Sequence, residues 1–405
     1  MDVRGLRRRL YVLSFVDEFG PVYAVYTLFF ADNGVSTPQI SIAFLLWAVF
    51  ALVLEVPSGA LGDLVDRRRL IAGAFALRAI AISVWLVWPT FSGLIVGTLL
   101  FALHDALASG TWEAMIHDEL TAVGESHRYG EVIARTSQWS NLGVAAGTLS
   151  GAGLLAIGTS LEALGWVTVL VHAGSITLVL ALPAVRWGAA ADGDPDDGVD
   201  LPTGLSGWWW TLRRGTSEVR ADRTLRRLVL LGSVFGGLFL LDEYLPLLSR
   251  ARGGSDEAAP WIVLVVWIGL LVGDEIAARR AEISGRVLGP LLVASMAVTT
   301  VAFVSDEVWA LALVAVGYAA LEANYLVADA RLQAATSGAA RATVSSVRGL
   351  GMSSISMMIF AVIALLADGD DPTPGLYVMV ALLAVSGVVA TRWIAAGPPT
   401  NDSSD

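Results

Sequence analysis

Cysteine and lysine are both absent from this chain of 405 residues, and histidine occurs only four times. The missing cysteine excludes disulfides, thiol nucleophiles and cysteine-ligated metals, while leaving the compartment open. The few histidines show no metal-ligand spacing, and no glycine-rich phosphate loop is present. No enzyme signature rises above background, no cofactor is implied, and energy for any work must come from outside the chain. Charge is scarce too: 16% of residues are charged, where a soluble protein carries about a quarter.

Apolar residues fill the space, at 55% of the chain with a mean hydropathy of +0.66. A bilayer core of about 30 Å asks for roughly 20 apolar residues per helix. Twelve such runs are present, near 10 to 31, 40 to 61, 70 to 89, 91 to 113, 136 to 158, 162 to 185, 228 to 249, 258 to 278, 287 to 304, 307 to 330, 343 to 367 and 376 to 396. They are continuously apolar and far longer than the ~10 residues of a spanning strand. The expected fold is an all-α membrane protein with twelve transmembrane helices. The first run follows arginines as a signal peptide would, but it contains Asp17 and Glu18, so it is expected to be a retained helix.

All 26 basic residues are arginine. With both termini in the cytoplasm, only Arg250 and Arg252 fall in outside loops, as the positive-inside rule requires. The expected location is the cytoplasmic membrane. The net charge of -11 comes largely from acidic loops and the tail; it describes solvated surface and implies no nucleic-acid partner.

Between the sixth and seventh runs lies the only long polar stretch, and it contains Trp208-Trp209-Trp210-Thr211-Leu212-Arg213-Arg214. Tryptophan with arginine suits a segment lying on the cytoplasmic leaflet. The expected organisation is a six-helix bundle over 1–186, a linker over 187–227, a second bundle over 228–396 and a polar tail over 397–405. Matched residues support a duplication. Asp63 and Asp274 are 211 residues apart, Arg135 and Arg348 are 213 apart, and Glu113 and Glu322 are 209 apart. Asp17-Glu18 and Asp242-Glu243 also look alike, but counted along unbroken helices they lie on the order of 10 Å and 20 Å above their cytoplasmic ends, so this likeness is taken as coincidental.

The stretch from Glu55 to Arg69 sits between the second and third runs, with Gly59, Asp63, Arg67 and Arg68 at the positions of a recurring loop pattern. Together with twelve spans, a 6+6 repeat and a central linker, it resembles the major facilitator superfamily of secondary transporters, nearest to drug/proton antiporter-like members. Leu64 stands where a basic residue is usual and Asp66 where glycine is usual. Gly143, Gly147 and Gly151 keep the small face of the antiporter motif in helix 5 without its proline, and span 4 lacks the arginine common in drug exporters. The resemblance implies two pseudo-symmetric bundles, a midplane cavity lined mainly by helices 1, 4, 7 and 10 that opens to alternate sides, and a monomer.

Ionisable groups inside a bilayer are costly and usually face a cavity or a partner. Asp17, Glu18, His104, Asp105, Asp242, Glu243 and Glu322 fall within spans 1, 4, 7 and 10. With Asn324 and Tyr325 they form the expected coupling and substrate set, in which carboxylates take protons and cationic substrate in competition. The bland alternative pairs them with Arg78, Arg135 and Arg348. His104 is a candidate proton relay. Gly59, Asp63, Arg67, Arg68 and Asp274 are the expected conformational latch, together with Arg135 and Arg348, each meeting a carboxylate such as Asp118 or Asp329. Gly143, Gly147 and Gly151 are expected to pack helices.

The sequence therefore points to a secondary transporter driven by an ion gradient, exporting lipophilic or cationic compounds in exchange for protons. A metabolite symporter or uniporter is the alternative, since Gln138, Asn141 and Asn324 can bind hydroxyls or amides. A non-transporting membrane receptor is the third reading.

Overall fold

Long apolar segments have no water to satisfy their backbone, so they close their hydrogen bonds internally as helices. The computed structural model describes residues 3–64, 66–108, 111–181, 204–279, 283–336 and 339–394, and among these no strand forms. The helices are α1 (Val3–Glu18), α2 (Tyr26–Asp32), α3 (Thr37–Leu64), α4 (Arg67–Val87), α5 (Phe91–Ala108), α6 (Thr111–Ala122), α7 (Tyr129–Ala156) and α8 (Leu161–Leu180). They continue with α9 (Gly204–Ala221), α10 (Arg223–Gly237), α11 (Leu245–Ala251), α12 (Ala258–Arg279), α13 (Gly285–Val304), α14 (Val314–Ala335), α15 (Ala339–Leu366) and α16 (Thr373–Trp393).

Ten segments of the described chain are long and apolar enough to cross a bilayer. The other two expected spans are α1 with α2, and α7. Both are helical but more polar: α1 carries Arg7, Arg8, Arg9, Asp17 and Glu18, and α7 carries Glu131, Arg135, Gln138 and Asn141. Large apolar side chains stand exposed along the helices, among them Leu170, Leu271, Val301 and Leu365. In water such surfaces would drive association; lipid tails cover them without cost.

Several spans are not continuous. Span 1 breaks after Glu18, where Gly20 and Pro21 intervene before α2; proline has no N–H to donate and its ring clashes with the preceding turn. Span 7 breaks between Gly237 and Leu245, with a short 3₁₀ turn over Asp242–Tyr244. Pro246 then occupies the first turn of α11, where a missing N–H costs nothing. Both acidic pairs thus sit at an interruption of a span, Asp17-Glu18 closing α1 and Asp242-Glu243 inside the gap.

The chain forms two compact units, residues 1–35 with 46–208, and 36–45 with 209–405. In the first, Leu6, Leu10 and Leu13 recur at helical spacing and are buried against Ile71 and Phe75 of α4 and Ile116 and Leu120 of α6. There α4 packs between α5 and α8, and α1 packs along α7. In the second, α13 packs on α16, α12 on α14, and α10 on α14 and α15. The opening turns of α3 belong to this unit: Ser41 Oγ and Tyr244 Oη are 2.9 Å apart, and Thr37 Oγ1 donates to the Asp370 carbonyl at 2.7 Å. Residues 187–203 of the expected linker lie outside the described chain; α9 and the start of α10 form its remainder.

Candidate functional site

The first unit gathers its polar groups around Arg78 of α4, which is 5% exposed. Its Nη1 donates to Asp17 Oδ1 at 2.8 Å and also to the Asp17 carbonyl, while Nη2 lies 3.8 Å from Glu18 Oε1. Adjacent residues on a helix point about 100° apart, and Asp17 takes the close contact while Glu18 stands off. The Phe101 ring lies 4.7 Å and the Tyr23 ring 5.7 Å from the guanidinium carbon, so the cation is also held by aromatic faces.

His104 of α5 is buried beside this pair. Its Nδ1 is 2.9 Å from the Ala74 carbonyl. A carbonyl only accepts, so in the neutral ring Nδ1 carries the hydrogen and Nε2 is left as the basic nitrogen. Nε2 lies 3.8 Å from Asp17 Oδ1 and 3.7 Å from Asp105 Oδ1. One imidazole therefore stands between two carboxylates. Asp105 is held on its other oxygen by Trp47 Nε1, which donates at 2.9 Å. A cavity of about 220 Å³ opens onto this cluster, lined by Asp17, Phe75, His104, Trp112 and Glu113 among others.

Three participants lie outside the expected set. Tyr23 Oη is 2.6 Å from His172 Nε2, and both rings flank the Arg78 cluster. Arg78 was expected only as a neutralising partner. It places in span 3, on α4, an intramembrane arginine of the kind that span 4 lacks. His172 and Arg78 were legible as ionisable groups inside spans, whereas nothing in the sequence marks Tyr23.

In the second unit, Asp242 sits in the gap of span 7. Its backbone N–H donates to Tyr318 Oη at 2.9 Å, and that hydroxyl lies 3.2 Å from Asp242 Oδ1. Phe239 packs against Tyr318 and Tyr325. Glu322 does not stand alone: its Cβ lies over Gly273 of α12, beside Asp274. Asn324 has a packing contact. It is fully buried, and its Nδ2 donates to the Leu288 and Ala320 carbonyls at 3.1 and 2.8 Å, so it joins α14 to α13 through its nitrogen.

The latch residues divide. Arg348 forms an ion pair with Asp329, and its guanidinium carbon lies 5.7 Å from the Tyr325 ring. Arg135 does not meet Asp118; it reaches Gln138 at 3.1 Å. Asp118 is instead paired with Arg67, which also donates to the Ala114 carbonyl at 3.2 Å. Arg68 Nη2 lies 3.8 Å from Asp66 Oδ2. The Asp66 carboxylate accepts from the Arg68 and Arg69 backbone N–H groups and caps α4. Asp274 lies within α12, not in a loop, and the neighbouring Arg279 pairs with Glu275. The side chains of Gly59 and Asp63 lie outside the described residues. Among the described residues no cluster of three or more metal-ligating side chains occurs.

Residues 10–359 match the family model of the Major Facilitator Superfamily. The chain belongs to that superfamily. Solved structures of superfamily size share its fold. One is the nucleoside transporter NupG, at 13% identity and a TM-score of 0.71, covering 97% of this chain and 98% of that one. Another is a bacterial homologue of the iron transporter ferroportin in an inward-facing state, at 14% identity and a TM-score of 0.73, covering 97% and 99%. A third is a bacterial homologue of the human lysosomal transporter Spinster, at 19% and 0.62, covering 96% and 93%. No curated protein sequence matches. As a superfamily member the chain is a multi-pass membrane transporter that moves a small molecule by alternating access.

Proposed function

We propose that this transporter is driven by protons and exports lipophilic or cationic compounds, with both termini in the cytoplasm and the chain acting as a monomer in the cytoplasmic membrane. The observation that carries the reading is His104 Nε2 standing 3.8 and 3.7 Å from Asp17 and Asp105 beside the buried Arg78. A proton arriving on either carboxyl group can pass through the imidazole to the other, and Asp17 released from Arg78 by protonation frees the guanidinium to move. Three carboxyl groups, Asp17, Glu18 and Asp105, face one guanidinium, so the site favours a cation once the protons leave. Phe75, Phe101 and Trp112 supply apolar and aromatic walls for a lipophilic body. Asp242 with Tyr318 offers a second acidic site in the other unit.

The test is transport in inside-out vesicles. An imposed pH gradient should drive accumulation of a fluorescent lipophilic cation. Asp17→Asn and Asp105→Asn should each abolish gradient-driven accumulation while the protein remains folded and membrane-inserted. Undiminished accumulation in both variants overturns the coupling role of this cluster. Accumulation that ignores the pH gradient in the wild type overturns proton drive itself.

A further inference from the structure

The segment that joins the two units ends in α9, which runs straight into membrane-spanning α10 through the single residue Asp222. Asp222 caps α10, its carboxylate accepting from the Thr224 and Leu225 N–H groups at 2.6 and 3.1 Å. The end of α9 is thereby fixed at the level where span 7 enters the bilayer. One face of α9 is docked. Gly215 lies against the Thr343 backbone and Val347 of α15, and Val219 is buried with Leu225, Leu332 and Val344. Glu218 Oε2 accepts from Thr343 Oγ1 at 3.1 Å.

The opposite face has a different chemistry. Trp209, Arg213 and Arg220 are spaced by four and seven residues, which places them on one stripe of a helix, turned away from Gly215 and Val219 and exposed. Trp209 is 63% exposed. An indole ring in open water is poorly placed, whereas at a headgroup boundary its apolar body and polar N–H are both satisfied. Arg223 and Arg226 extend the exposed basic surface into the first turn of α10.

We propose that the outer stripe of α9 binds the anionic phospholipid headgroups of the leaflet at which α10 begins. Tryptophan anchors the helix at the interface and the arginines take phosphate oxygens as charge-assisted donors. The docked face then transmits the hold to the start of α15, one residue from Arg348 and its ion pair with Asp329. This assignment stands whatever solute the transporter carries.

The experiment uses the purified full-length protein in neutral detergent, titrated with phosphatidylglycerol or with phosphatidylcholine, and reads bound lipid by native mass spectrometry. Wild type should prefer phosphatidylglycerol. The double variant Arg213→Gln with Arg220→Gln should bind it roughly thirtyfold more weakly, taking about 1 kcal/mol for each basic residue near a charged surface, with phosphatidylcholine binding unchanged. Equal affinity of wild type and variant for phosphatidylglycerol, or equal affinity of wild type for the two lipids, overturns the proposal. Should the variant not fold, the wild type still decides. Raising salt from about 0.05 M to about 0.5 M shortens the screening length severalfold and should erode the preference, and a salt-independent preference counts against it. Because the chain has no cysteine, a dye on Ser217→Cys gives a further reading. It should be quenched by spin-labelled lipid in phosphatidylglycerol nanodiscs, and an unquenched dye there places the stripe in the aqueous phase and overturns the proposal.

Discussion

Arg78 is the side chain on which most of the first unit's polar contacts converge, and its loss should be the most damaging single change there. Its removal strands Asp17 and Glu18 without a counter-charge. Truncating one partner of a fully buried pair costs about 3–5 kcal/mol; the Asp17 side chain keeps 30% of its exposure, so Arg78→Ala should cost less than that but still lower the melting temperature in a detergent thermal-shift assay, and Arg78→Ala with Asp17→Asn should recover part of the loss. His104→Asn offers a finer probe. An asparagine amide can still donate to the Ala74 carbonyl, so the fold should hold, but the side chain carries no proton. Transport should then lose its dependence on the pH gradient with little change in stability. In the second unit, a double-mutant cycle on Arg348→Gln and Asp329→Asn should give a coupling energy of about 0.5–3 kcal/mol. Sequence position foretold that pair because both residues lie near the same helix ends. It misassigned Asp118, for which Arg67 and Arg135 compete, and only the turn of α6 against α4 decides between them.

At the scale of elements, α7 shows why small residues matter at some positions and not at others. Gly143, Gly147 and Gly151 recur every four residues, and a side chain there would meet the backbone of Phe15, Gly20 and Pro21. On the same helix Gly153 faces open space. Gly147→Val should therefore push α1 from α7 and disturb the acidic pair at the end of α1, seen as lost transport and a lower melting temperature. Gly153→Ala should be neutral or stabilise by roughly 0.5–1 kcal/mol, the helix-propensity gain over glycine. The glycine stripe was readable because spacing alone puts it on one face. The interruptions in spans 1 and 7 were not, since glycine and proline occur in unbroken membrane helices as well, and whether the ladder breaks depends on what neighbouring helices offer the freed groups. Asn324 was hard to place for a related reason: two residues beyond Glu322, it points to a different side of α14, where its amide reaches the Leu288 carbonyl of α13.

For the whole molecule, the architecture was written in the long apolar runs. Ten of the twelve expected spans meet the length and hydropathy of a crossing helix; of the other two, the first is split into α1 of 16 residues and α2 of 7, and α7 is the more polar helix. Orientation rests on arginine placement, and the cysteine-free background makes it directly measurable. Ser126→Cys, between α6 and α7, and Ser255→Cys, between α11 and α12, should react with a membrane-impermeant maleimide from opposite sides, Ser255→Cys from outside intact cells. Labelling of both from the same side would contradict the proposed topology.

The gap in span 1 has one more consequence. Between α1 and α2 the Val22 N–H leaves the helical ladder and donates to Thr168 Oγ1 of α8 at 3.3 Å. The amide is thus satisfied by another helix, and in hydrocarbon it has no water to fall back on. A membrane helix ordinarily frays from its ends, where solvent waits. Here protection in the middle of the span hangs on one side-chain acceptor instead of the helical ladder, so replacing Thr168 with valine should hasten deuterium entry at Val22 while leaving exchange at the termini of α1 unchanged.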